Sequence, residues 1–114
     1  MRKIIVITYL AVVMAGCNSM PELRVGKPEA SYQSKRPVDL VADCILFGWQ
    51  KQSFGGPIPV VLQHSSQGKT VETEGVRELA DVIRDGNESK VNFYSQGIFG
   101  WRAEKRKNVI AECL

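Results

Sequence analysis

An apolar run near the N-terminus indicates that the first residues of this chain are not part of a folded domain. Met1-Arg2-Lys3 supplies two positive charges, and residues 4–13, IIVITYLAVV, are almost entirely apolar. A charged start followed by a short apolar stretch is typical of an export signal peptide. A membrane-spanning helix is the alternative, but it needs about 20 apolar residues. We therefore predict that residues 1–16 are a signal peptide and that the chain is exported.

The residues that follow this run are Met14-Ala15-Gly16-Cys17. They resemble the lipobox of bacterial lipoproteins, although leucine is more usual where Met14 stands. The resemblance implies cleavage just before Cys17 and a diacylglyceryl group on its sulfur; a free secreted protein is the alternative. Two or more acyl chains give stable anchoring, so the resemblance implies a membrane-anchored protein of the cell envelope. Asn18 lacks the charge of the inner-membrane retention signal in enteric bacteria, which implies the periplasmic face of the outer membrane.

The stretch after the lipobox is expected to be a tether. It reads NSMPELRVGKPEASYQ, is broken by Pro21, Gly26 and Pro28, and shows no sustained period. We predict a lipidated cysteine and a flexible tether over residues 17–33. In a chain of 114 residues, residues 34–114 then have room for a single globular domain.

Two helices are predicted at the ends of this domain. Apolar residues recur at helical spacing on one face of the segment that follows Pro37. These residues are Val38, Val41, Ala42, Ile45 and Trp49. Phe47 lies on the other side of this helix, where we expect core packing rather than contact with lipid. The last segment, GWRAEKRKNVIAECL, also reads as a helix, with Val109, Ile110, Cys113 and Leu114 facing inward.

Strands are predicted between the two helices. Val60-Val61-Leu62 reads as a short strand, and TVETE alternates. Residues 76–84 fit a helix as well, but Asp85-Gly86 between LADVI and KVNFY indicates a hairpin, so we predict a strand over residues 79–84. The fold class is α+β: a two-layer domain in which a small antiparallel sheet of about four strands carries the N- and C-terminal helices on one face.

Cys44 and Cys113 lie on the two predicted helices. If lipid occupies Cys17, these two thiols remain in an oxidising compartment, which favours a disulfide between them. A catalytic pair of a cysteine with His64 is the alternative, and it would leave one thiol unexplained. The combination VADCILFGW, LADVIRDGNESKVNFY and VIAECL is also similar to small, uncharacterised proteobacterial envelope lipoproteins. That resemblance supports the fold and the disulfide and implies no activity.

Basic residues crowd the last helix: Arg102, Lys105, Arg106 and Lys107, with Trp101 just before them. Aromatic and basic side chains together suit a membrane interface. We expect this group to lie on the outer side of the helix and to contact anionic lipid, lipopolysaccharide or an envelope protein partner. A solvated helix face is the alternative.

Other functional classes have little support in the sequence. The net charge of +3 falls to about +1 without Arg2 and Lys3, so we expect no nucleic-acid partner. The cysteines and the single histidine lack zinc spacing, so we expect no metal and no cofactor. His64, Ser65 and Ser66 have no nucleophile context, and Glu72, Glu74 and Glu78 read as a solvated surface. We therefore expect a non-enzymatic accessory or interaction module; a tethered periplasmic binder of a small ligand, or an inhibitor, is the alternative.

Overall fold

The computed structural model describes residues 20–56, 58–75, 77–96 and 100–114. These residues form three helices and five strands, with four of the strands in succession between the second and third helices. The elements are α1 (Met20–Arg24), β1 (Ala30–Ser34), α2 (Val38–Gln50), β2 (Val60–Ser65), β3 (Gly68–Thr73), β4 (Glu78–Asp85), β5 (Glu88–Ser95) and α3 (Gly100–Glu112). The predicted α+β class is confirmed.

The five strands form one antiparallel sheet in the order β1-β5-β4-β3-β2. The predicted hairpin is present, because β4 and β5 pair from Glu78↔Ser95 to Asp85↔Glu88. Gly86 begins its two-residue turn with a φ of 61°, a conformation in which glycine meets no steric penalty. The strand predicted over residues 79–84 is therefore confirmed as part of β4.

The main core lies between α2 and the sheet. Ile45 and Trp49 of α2 are fully buried, as are Val71 and Phe93 of the sheet. The rings of Trp49 and Phe93 meet edge to face, with their centroids 6.1 Å apart. Helix α3 runs beside α2 on the same face of the sheet, as its disulfide with α2 and its ion pair with Glu78 require.

The prediction of a flexible tether as far as residue 33 is wrong at its end. Strand β1 pairs with β5 from Ala30↔Phe93 to Ser34↔Ser89, and helix α1 precedes it. The sequence ASYQS shows little apolar alternation, so the strand was not recognised from it. β1 lies at the edge of the sheet, where its backbone hydrogen bonds come from one neighbouring strand. The sheet accordingly has five strands rather than about four.

The expected burial of Phe47 is also wrong. Its side chain is 56% exposed, and Leu40, seven residues earlier on the same face of α2, is 51% exposed. The sheet lies under one side of α2 and α3 flanks another, so the outward side of the helix is left uncovered. This outer face of α2, defined by Leu40 and Phe47, is an apolar feature of the surface.

Candidate functional site

The expected disulfide joins the two helices. Cys44 on α2 and Cys113 just after α3 are bonded, with their Cα atoms 5.6 Å apart, and Cys113 is 1% exposed. The bond removes both sulfurs from nucleophilic chemistry. His64 is exposed near the end of β2, in register with Lys69. A catalytic pair between His64 and either of these cysteines is therefore ruled out.

The predicted basic surface on α3 is wrong for two of its four members. Arg102 is 6% exposed and Arg106 is 0% exposed. Their spacing of four residues, continued by Ile110, puts them on the inward side of α3 rather than the outward side. Long basic side chains are rarely buried without partners, and these two meet a carboxylate.

That carboxylate is Glu78, for which the sequence predicted a solvated surface position. Glu78 is 2% exposed at the start of β4. Arg102 contacts it through both sides of the guanidinium, with Nε at Oε1 and Nη2 donating to Oε2 at 2.7 Å. The Thr73 hydroxyl also donates to Oε2, at 2.7 Å. The position of Glu78 in the strand could have indicated its burial. It shares a face of β4 with Ala80 and Val82, both of which belong to the core.

Glu72 is likewise not solvated. It is 7% exposed on β3, where Gln63 Nε2 donates to its Oε1 at 2.7 Å. Of the three glutamates, only Glu74 is exposed as predicted. The alternation TVETE identified the strand correctly, but side chains on both sides of β3 are buried among their neighbours, so alternation did not indicate exposure.

Arg106 is held mainly by backbone and aromatic groups. Its Nη1 donates to the carbonyl oxygen of Trp49 and to Gln52 Oε1, each at 3.0 Å, and Trp49 Nε1 donates back to the Arg106 carbonyl at 3.2 Å. The guanidinium carbon lies 5.2 Å from the Trp49 ring centroid and 4.8 Å from that of Phe54. These are cation–π distances.

We call the buried group of Thr73, Glu78, Arg102 and Arg106 the Glu78 cluster. Its two guanidinium groups face a single carboxylate, so positive charge exceeds negative charge. Arg106 Nε lies 3.8 Å from Glu78 Oε1, beyond hydrogen-bond distance, and neither Nε nor Nη2 of Arg106 has an acceptor. Burial lowers the pKa of the Arg106 guanidinium to about 10, and the charge of Glu78 only partly opposes that effect. Arg106 is therefore a buried cation with incomplete compensation.

An open cleft of about 330 Å³ adjoins this cluster. It is lined by Ile58, Glu74, Gly75, Arg77 and Arg102. Two arginines and a glutamate make its wall charged. It is not the concave apolar pocket that a binder of a small apolar ligand would use.

The remaining members of the predicted basic group lie nearer to solvent. Lys105 is exposed, with Nζ 5.9 Å from the ring centroids of both Phe54 and Trp101. Trp101 is 56% exposed and packs on Phe54 at 5.4 Å. Lys107 forms an ion pair with Glu104 at 2.6 Å. The predicted anionic-surface contact is thus reduced to Lys105 and Trp101, with Lys107 already paired.

The opposite face of the sheet is fastened to the N-terminal segment. Arg24 of α1 donates to both carboxylate oxygens of Asp81, at 2.7 and 2.5 Å. Thr70 joins them: its hydroxyl donates to Asp81 Oδ1 at 2.7 Å and accepts from Arg24 Nη2 at 3.2 Å. The hydrogen bond with Asp81 raises the pKa of Arg24, so the contact favours the charged guanidinium.

Several predicted features lie outside the described residues, namely Cys17 and the signal peptide of residues 1–16. Over the part of the chain that is described, no helix combines the length and apolar content needed to cross a bilayer. Among those same residues, no three His, Cys, Asp or Glu side chains are grouped so that they could hold a metal ion.

Comparison of the chain with known protein families, with curated proteins and with solved structures found no match.

Proposed function

We propose that this protein is a membrane-anchored lipoprotein of the cell envelope, lipidated on Cys17, whose domain acts as a non-enzymatic accessory module. Its proposed location is the periplasmic face of the outer membrane. The proposal combines the lipobox resemblance of Met14-Ala15-Gly16-Cys17 with the chemistry of the other two cysteines.

The observation that carries the proposal is the disulfide between Cys44 and Cys113. Structural disulfides persist in oxidising compartments, to which an export signal delivers a chain. The chain contains three cysteines, so the bond leaves Cys17 as the one thiol to be explained. Cys17 stands where lipoproteins are acylated, so a single pathway of export and lipidation accounts for all three sulfurs.

The outer face of α2 supports an interaction role for the domain. Leu40 and Phe47 are each about half exposed, although side chains of this kind are usually buried. The cleft beside Arg102 has a charged wall rather than an apolar one, so it gives little support to the alternative of a tethered small-ligand binder. The disulfide also gives no support to cysteine-based catalysis.

The test is to express the full chain in a Gram-negative bacterium and analyse the membrane fraction. We expect the N-terminal peptide to begin at Cys17 and to carry the mass of a diacylglyceryl thioether. A photocrosslinking amino acid at Phe47 should form an adduct with an envelope protein, whereas the same group at Glu112, an exposed position beyond the outer face of α2, should not.

Cys17→Ser is the matched control, and it should prevent acylation while leaving the disulfide in place. A wild-type chain that is soluble and keeps Met1, or whose Cys17 thiol reacts freely with an alkylating reagent, would contradict lipidation. Equal crosslinking from Phe47 and Glu112 would contradict the interaction role alone.

A further inference from the structure

The lipidation site lies close in sequence to the folded part of the chain. Helix α1 begins at Met20, only three residues after Cys17. Consecutive Cα atoms are about 3.8 Å apart, so these three steps span at most about 11 Å. A tether to residue 33 would instead have reached roughly 55 Å when fully extended. The correction of the tether therefore changes how freely an anchored domain could move.

The segment after Cys17 is attached to a defined place on the sheet. The two hydrogen bonds between Arg24 and Asp81 form a bidentate, charge-assisted pair, the strong class of such contacts. The backbone N–H of Glu29 then donates to the Phe93 carbonyl at 2.8 Å, directly before β1 joins β5. The chain is thus held to the sheet at Arg24 and again from Glu29 onward.

Asp81 and Thr70 lie on the face of the sheet opposite α2 and α3. Successive residues of a strand point to opposite faces, and Ala80, Val82 and Val71, their neighbours, pack in the main core. We call this second side the open sheet face. Its exposed residues alternate with residues of the helix-covered face; they are Ser31, Gln33, Val61, Gln63, Ser65, Asp85, Glu88 and Lys90.

The chemistry of the open sheet face suits lipid headgroups. Its exposed side chains are mostly hydrogen-bonding groups; near the turn between β4 and β5, Lys90 carries a positive charge and Asp85 and Glu88 carry negative charges. Val25, directly after α1, is 87% exposed and follows the proposed anchor by eight residues in the sequence. An apolar side chain near the acyl chains gains free energy by entering the interface.

We infer that the open sheet face lies against the headgroup layer of the bilayer that holds the acyl chains of Cys17. The layer of α2 and α3 then points away from the membrane and presents Leu40 and Phe47 to the periplasm. This inference rests on the proposed lipidation and adds an orientation, which a long tether could not impose.

Two lysines of the wild-type chain report this orientation. Lys90 lies on the open sheet face, and Lys51 follows α2 in the opposite layer; both are exposed. The lipidated full chain is reconstituted in vesicles of phosphatidylethanolamine and phosphatidylglycerol and treated with an amine-reactive reagent. Relative to the Cys17→Ser chain without lipid, we expect labelling of Lys90 to fall severalfold and labelling of Lys51 to stay the same.

A flexible insertion tests whether the short connection between Cys17 and α1 is the cause of the protection of Lys90. Ten Gly and Ser residues placed between Asn18 and Ser19 add about 18 Å of average reach without altering a described residue. This lipidated variant should regain labelling of Lys90. Equal protection of both lysines, protection of Lys51 alone, or unchanged protection after the insertion would overturn the orientation while leaving lipidation intact. A mass spectrum without the thioether would remove both proposals.

Discussion

At the scale of single residues, the two inward-facing arginines of α3 differ in how well nearby groups compensate their buried positive charge. Arg102 forms an ion pair with Glu78 through Nε and a hydrogen bond through Nη2, although its Nε lacks hydrogen-bond geometry, whereas Arg106 reaches no carboxylate within hydrogen-bond distance and has two nitrogens without acceptors. Breaking a buried ion pair leaves a desolvated charge behind, but removing an undercompensated charge does not. The same substitution should therefore have different effects at the two positions.

We predict that Arg102→Met lowers the free energy of unfolding by about 3 kcal/mol, because among the described residues the Glu78 carboxylate then keeps only Thr73 as a close partner. Arg106→Met should stay within about 1 kcal/mol of the wild type, because methionine fills the space without a charge. The Trp49 carbonyl would still accept from the Gln52 backbone N–H at 3.1 Å. Urea unfolding with the disulfide intact measures both variants. Equal losses would show that the two arginines are compensated alike.

At the scale of elements, the close approach of α2 and α3 depends on Gly48. A Cβ atom at Gly48 would collide with Cγ1 of Val109 on α3. Valine is short and branched at Cβ, so it has little freedom to move aside. Glycine is normally unfavourable inside a helix. At position 48 it leaves the space that Val109 of the second helix occupies.

We predict that Gly48→Ala destabilises the domain by about 1–3 kcal/mol, although alanine is the better helix former. Adding Val109→Ala should recover most of that loss by removing the colliding methyl group. Gly100→Ala is the matched control, because a Cβ there meets open space. Thermal unfolding of the three variants checks the prediction. A Gly48→Ala chain as stable as the Gly100→Ala chain would show that the helices can separate at little cost.

At the scale of the whole molecule, the disulfide joins two elements that are distant in sequence. It closes a separation of 69 residues and ties α2 to the C-terminal end of α3. That end is also bound to the segment between β1 and α2, since Arg36 Nη1 donates to the Cys113 carbonyl at 3.0 Å. In a small domain, a covalent restraint of this kind is a large part of the total stability.

We predict that replacing Cys44 and Cys113 together by alanine lowers the free energy of unfolding by about 4 kcal/mol in the chain-entropy account. The wild-type chain should lose a similar amount in a reducing agent, whereas the double variant should not respond to reduction. Unfolding curves with and without reductant test both statements. A wild-type curve that reduction leaves unchanged would contradict the stabilising role of the bond.

The sequence by itself determined the features that depend on local pattern and covalent chemistry. Helical spacing predicted α2, Asp85-Gly86 predicted the hairpin, and the two cysteines of the domain predicted the disulfide. Each signal lies within a few residues or, for the cysteines, follows from the small number of possible pairs.

Only the tertiary structure decided which charges are buried and where the domain begins. The inward turn of Arg102 and Arg106 depends on a glutamate 24 or more residues away, and β1 exists because β5 offers it a free edge. Contacts between distant segments leave no periodic mark in a sequence, because their energy comes from a partner that folding brings into reach.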